Sequence, residues 1–230
     1  MLFRSALPPG HGALGGRKVR TGDFPVLFEA TLAGGLLGSL VHAASGGALY
    51  RKSSFLLDHL GKRVMPEFVN IGERPHIKCG LGSASFDSDG VATRDREVVS
   101  GGILQGYFLS AYTARKLGMQ TTGNAGGSHN LIIEPGDLDL DGLLKKMNRG
   151  LLVTELLGQG VNYVTGDYSR GAAGYWVENG SIAYPVEEIT IAGNLKAMLA
   201  GIVAVGTDVL VRGSKQTGSI LVDRMTVAGE

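Results

Sequence analysis

GYWVENGSIAYPV, residues 174–186, sets aromatic and β-branched residues on both sides of Asn179-Gly180. Asn and Gly tolerate the positive φ angles of a type I′ turn, so the stretch reads as a β-hairpin. Outward from it, further strands are expected near residues 151–156 and 220–222, and towards the N-terminus near 68–71 and 130–133. Residues 97–109 read as two strands about Gly101-Gly102, and 209–212 as one more. Helices are expected at 110–117, ended by Gly118, at 141–147, and at 194–205, ended by Gly206. Strands and helices do not alternate regularly, and no internal repeat is visible. The pattern predicts an α+β fold, β-rich and largely antiparallel, with a few helices.

EATLAGGLLGSLVHAASGGALY, residues 29–50, is the apolar stretch of the N-terminal part. Leu32, Leu36 and Leu40 recur at helical spacing, with Leu37 and Val41 beside them. Gly34-x-x-x-Gly38 could pack a transmembrane helix, but the glycines with Thr31, Ser39, His42 and Ser45 dilute the segment, and no second candidate span follows. A buried helix surrounded by sheet, and no membrane, is the expectation. His42 on that helix is expected to be a hydrogen-bonded core or interface residue. Residues 1–23, with LPPGHGALGG, read as a linker, leaving 24–230 as the domain.

The bulk properties narrow the function. The chain has 230 residues, enough to bury a sizeable core. Lys plus Arg number 22 against 21 acidic residues, so nothing draws the chain to nucleic acid or anionic lipid. One cysteine, Cys79, rules out an internal disulfide framework and suits the cytoplasm. Gly reaches 37 residues, about twice the usual share of roughly 7%, without a short period, which points to many turns and close backbone contacts.

Motif by motif, no catalytic constellation emerges. DLDLDG at 137–142 imitates a calcium loop, but Lys145 and Asn148 stand at loop positions 9 and 12, where a bidentate Glu is required at 12. A helix N-terminus explains it better, and DSDG at 87–90 reads as a turn. GQGVNYVTGDYSRG at 158–171 lacks the third glycine of a dinucleotide fingerprint and the Gly-Lys-Ser/Thr of a P-loop. It reads as a structured surface loop, with Tyr168 and Arg170 as candidate ligand contacts. The 5 histidines never fall in a zinc-ligand spacing. His129, between glycines and a strand, is the best isolated candidate among them.

The segment GLLVTELLGQGVNYVTGDYSRGAAGYWVENGSIAYPVEEITIAGNLKAMLAGIVAVGTD, residues 150–208, resembles the signature region of the TldD/PmbA family, in its PmbA/TldE branch. PVLFEATLAGGLLGSLVHAASGGALYRKSSFL from Pro25, FDSDGVATR from Phe86 and ARKLGMQTTGNAGGSHNLIIEPG from Ala114 resemble the same family. The resemblance runs from about Arg17 to Gly229 and implies a C-terminal domain whose N-terminal α/β half is absent. It implies a zinc metallopeptidase system of the bacterial cytoplasm, acting on peptides and poorly folded polypeptides through a heteromer of TldD and PmbA/TldE. It carries the name modulator of DNA gyrase without implying DNA binding.

In TldD-type members a His-Glu-x-x-x-His helix and a later Cys hold the zinc. Set on this sequence, those helix positions fall at Glu29, Ala30 and Gly34, and the C-terminal stretch VRGSKQTGSILVDRMTVAGE has no cysteine. The resemblance therefore implies no catalytic or metal residue here and no cofactor in this chain, with zinc in the TldD-type partner. The partners implied are that subunit or a second copy, and an extended peptide. Candidate peptide contacts are His129, Tyr168 and Arg170. The alternative is an active peptidase or other hydrolase with a different centre, using His129, Glu29 or Tyr168. The family His pair, five residues apart, would need a break in a regular helix, and Gly34-Gly35 would permit one.

Overall fold

The computed structural model describes residues 15–230; residues 1–14 of the expected linker lie outside the described residues. In chain order the elements are β1 (Gly22–Phe28), α1 (Ala30–Ala43), α2 (Gly46–Tyr50), β2 (Ile71–Glu73), β3 (Arg96–Ser100), β4 (Ile103–Leu104), α3 (Ala111–Leu117) and β5 (Leu131–Ile133). They continue with α4 (Leu140–Met147), β6 (Gly150–Leu157), β7 (Asp167–Glu178), β8 (Ser181–Asn194), α5 (Leu195–Ala200), β9 (Ile202–Val205), β10 (Lys215–Gln216) and β11 (Ile220–Ala228). The architecture is α+β and rich in strands, as expected. Among the described residues no helix is long and apolar enough to cross a membrane.

Two sheets divide the strands. The first has the order β1-β6-β7-β8-β11-β9, and β11 also pairs with β1, which closes five of its strands into a ring. β11 gives one edge to β1, and shares the other between β9 at its start and β8 at its end. All neighbours in the ring are antiparallel except β1 and β6. Its longest ladder is the predicted hairpin, β7 to β8, which turns at Asn179 (φ 52°) and Gly180 (φ 72°) as type I′ chemistry requires. Trp176 faces Tyr184 across that ladder, and its ring meets Phe24 of β1 edge-on at 4.9 Å. The second sheet has the order β10-β5-β2-β3-β4. Its β3–β4 turn uses positive φ at both Gly101 and Gly102, where the sequence places the turn, but β4 ends at Leu104 and the strand expected to reach residue 109 does not.

α1 joins the two sheets, packing on β1 and β6 of the first and β10 of the second. Ala33, Leu36, Leu37, Leu40 and Ala43 form its buried stripe, the i, i+3, i+4, i+7 spacing of a helix facing a core. Leu37 and Leu40 are essentially inaccessible, and truncating either to Ala would cost about 2–5 kcal/mol.

Several expectations need correction. The stretch 29–50 is two helices rather than one, because the Ser45 hydroxyl accepts from Ala48 N–H and so caps a new helix start. A Cβ at Gly46 would sit 2.3 Å from Thr113 Oγ1, so α2 also packs too closely on α3 for the first helix to run on. No break occurs at Gly34-Gly35; α1 is continuous α-helix from Ala30 to Ala43. The helix expected over 194–205 stops at Gly201, and Ile202–Val205 forms β9 against β11, a run whose β-branched residues favour a strand. Residues 209–212 form no strand; Leu210 makes one bridge to Thr217, and Val211 is 64% exposed. Part of the expected surface loop 158–171 belongs to β7, which begins at Asp167 and buries Tyr168. Finally, His42 does not lie in the core: it is exposed on α1 and stacks on Tyr163 at 3.9 Å between ring centroids.

Candidate functional site

α1 has a cleft on each flank. Helical spacing separates Leu32, Gly35, Leu36 and Ser39 from Ala30, Thr31 and Gly34, and each set lines its own cleft. The ridge between the clefts carries little side chain, since Gly35 is exposed and a Cβ there would meet nothing within 4 Å.

The first cleft, about 270 Å³, lies between α1 and the start of β7, and both Tyr168 and Arg170 line it. Phe28, Leu32, Leu36 and Leu156 supply apolar wall, with Val161 and Tyr163 from the β6–β7 connection opposite. Register explains the placement of Tyr168. It pairs with Gly193 on β8, and its side chain turns inward to 4% exposure. Burial pushes the Tyr168 hydroxyl above its ordinary pKa of 10.0, only partly opposed by the charge on Arg170 and by a hydrogen bond from its guanidinium, so it stays neutral with its own proton free to donate. Among the described residues Arg170 makes no salt bridge, and its buried Nε is the one buried side-chain nitrogen or oxygen without a hydrogen-bond partner.

The second cleft, about 400 Å³, is lined by Ala30, Thr31 and Gly34 of α1, by Leu210 and Arg212 of the segment leading into β10, and by Lys215 at the start of β10. Lys215 lies along the glycine face of the helix. Hypothetical Cβ atoms at Gly34 and Gly38 would stand 3.9 and 3.7 Å from its Cβ and Cε. Glu29 precedes the helix, and its carboxylate accepts the Thr31 hydroxyl at 2.5 Å. Among the described residues no group of three or more His, Cys, Asp or Glu side chains could share a metal ion.

His129 lines neither cleft. Its Nε2 lies 2.9 Å from the Gly123 carbonyl and so carries the proton, while its backbone N–H donates to Glu73 Oε1 at 2.7 Å. Glu73, 1% exposed, also accepts from Arg96 Nε at 2.7 Å and from Asn124 Nδ2 at 2.9 Å. His129 thus belongs to a buried network that ties β2 and β3 to the loop before β5. DSDG is the turn expected, with Asp87 accepting from Asp89 and Val91, but Asp87 also accepts from Ala125 N–H at 2.9 Å and links two loops. DLDLDG starts α4, where Asp139 caps Gly142 N–H at 2.8 Å.

Of the sequence candidates, then, the structure brings Tyr168 and Arg170 together and leaves His129 and Glu29 apart from them. Arg212 and Lys215 were missed. Their signal was two cations bracketing Gly-Ser in RGSK, legible only once that loop is laid against Gly34 and Gly38.

Residues 21–229 match the model of the PmbA/TldA metallopeptidase C-terminal domain, and the chain belongs to that family. A metalloprotease PmbA homolog of Haemophilus influenzae is 55% identical over 214 residues, covering 93% of this chain and 48% of the relative. The metalloprotease PmbA of Escherichia coli O157:H7 is 54% identical over 214 residues, with 93% and 48% covered. The crystal structure of a Bacteroides thetaiotaomicron protein described as a modulator of DNA gyrase superposes with a TM-score of 0.90 at 34% identity, covering 94% of this chain and 49% of that one. The chain thus spans about half the length of the curated relatives it matches.

Proposed function

We propose that this domain serves as the non-catalytic, PmbA/TldE-like part of a cytoplasmic zinc peptidase system, holding a TldD-type subunit or a second copy and helping to enclose an extended peptide. One observation carries the reading: the family's zinc-helix positions hold Glu29, Ala30 and Gly34. Ala and Gly have no donor atoms, whereas a hydrolytic zinc needs about three protein ligands and a base beside its water. The residues present do not fit the ion. The cleft at Ala30 and Gly34 is faced by two cationic side chains, Arg212 and Lys215, which repel a divalent cation. Near the first cleft, Leu157 and Val164 are 56% and 55% exposed, apolar area of the kind a partner covers.

The test uses the full-length chain, alone and mixed with a TldD-type subunit, with bound zinc and peptide cleavage measured in each. Zinc and cleavage are expected only when the partner is present. Stoichiometric zinc and robust cleavage by the lone chain would overturn the proposal.

A further inference from the structure

We infer that the first cleft binds a peptide carboxylate carried on an apolar residue, with Arg170 as its counter-ion. The inference rests on the reading of the domain as a peptide-handling subunit and names what one site of that subunit takes. Charge complementarity supplies the argument. Arg170 is the one charged residue lining the cleft, and no carboxylate of the described residues neutralises it. A half-buried guanidinium beside apolar walls is a costly arrangement unless an anion completes it. Its planar fork matches a carboxylate in a bidentate fashion, and the Tyr168 hydroxyl on the same wall can add a neutral donor.

Shape and charge select among anions. At about 270 Å³ the cleft sits near the lower limit of ligand pockets, roughly 300 Å³. It has room for the end of a peptide or for one acidic side chain. A phosphate ester would bring up to two negative charges, with no second cation among the lining residues to meet them. Among the lining residues, the partly exposed Leu32 and Leu156 favour an apolar group next to the anion. The side-chain-free ridge at Gly35 lets a peptide backbone approach α1 closely.

Calorimetry on the full-length chain, without any partner subunit, tests this with three probes. They are acetyl-Gly-Gly-Leu as the free acid, the same peptide as its C-terminal amide, and acetyl-Gly-Glu-Leu amide. The free acid is expected to bind on the order of tenfold or more tightly than the plain amide. Binding of the Glu peptide would show that a side-chain carboxylate also serves, and its failure would restrict the site to chain ends; either supports the carboxylate assignment when the free acid binds. Arg170→Gln should lose a similar factor, and Arg170→Lys should recover part of it. Should Arg170→Gln fail to fold, Gly35→Phe fills the cleft mouth from an open helix position and should abolish binding with Arg170 intact. Equal binding of acid and plain amide, or no binding of the acid at millimolar concentration, overturns the inference. Because no partner or zinc enters the assay, that failure is distinct from failure of the subunit proposal, which is read from zinc content and cleavage.

Discussion

The two sheets reach stability by different means. In the ring, β7 and β8 run 12 and 14 residues, so long ladders and apolar side chains on the inner face fix register together. In the second sheet, β2, β3, β4, β5 and β10 have 3, 5, 2, 3 and 2 residues, too few to specify register alone. There a buried ion pair, Glu73 with Arg96, stands in for length. Arg96 reaches further, to the Tyr107 carbonyl at 2.9 Å and Asn124 Oδ1 at 3.1 Å, and lies over the Phe108 ring. A polar network is directional where apolar contact is not, so it can set short strands that packing would leave free to slip.

The sharpest way to break this comparison is Glu73→Leu. It leaves the Arg96 guanidinium, 13% exposed, without its carboxylate, and strands the N–H groups of Asn124 and His129. Removing one partner of a buried pair costs about 3–5 kcal/mol. Urea unfolding measures the loss, and hydrogen exchange should locate it in β2, β3 and β5. Trp176, the single tryptophan, sits in the ring and reports the other region by fluorescence. A loss below 1 kcal/mol would mean that the network is not what holds the short strands. In the ring the matching test is Gly174→Ala. A Cβ there would lie 1.9 Å from the Leu152 carbonyl oxygen, inside the β6–β7 ladder. Overpacking of this kind costs about 1–3 kcal/mol, and the Trp176 transition should report it first.

The same contrast decides what could be read from the chain. The β7–β8 hairpin and the β3–β4 turn were legible because Asn179-Gly180 and Gly101-Gly102 encode their turns locally. The leucine spacing of α1 was equally local. The break at Ser45 was not, because a serine among small residues marks a cap only when α3 presses on Gly46. Nor was the switch from α5 to β9, which depends on β11 offering an edge. Tyr168 and Arg170 were picked from a glycine-rich stretch, but the burial that makes them a site comes from Gly193 across the ladder and from α1. Glu73 and Asn124 lie 51 residues apart, so their network has no sequence signature at all. His129 drew notice as a histidine, and its backbone N–H turned out to matter more to the network than its ring.

A smaller effect should appear with pH. Burial raises the Asp87 carboxyl, but the N–H groups of Ala125, Val91 and Asp89 and the charge of His129 outweigh it and hold it below the ordinary 3.8. The unfolded chain therefore takes up this proton first as pH falls. The stabilisation is complete above 3.8 and disappears as pH drops through the lower folded value. In Asp87→Asn the loss of stability on acidification should be shallower than in the wild type, as followed by urea midpoints from neutral pH down to about 3. An unchanged slope would remove Asp87 from the acid response of this loop pair.

The smallest effect bears on whether the two regions are thermodynamically separate. Gly in a helix interior costs about 1 kcal/mol relative to Ala, and a methyl at Gly35 meets nothing within 4 Å. Gly35→Ala should therefore stabilise α1 by roughly 0.5–1 kcal/mol. Because α1 packs on strands of both sheets, a fully cooperative domain passes that gain to both. Thermal midpoints from Trp176 fluorescence and from far-ultraviolet dichroism should then rise together. If only the fluorescence midpoint moves, α1 belongs energetically to the ring, and the second sheet opens on its own through the network around Glu73.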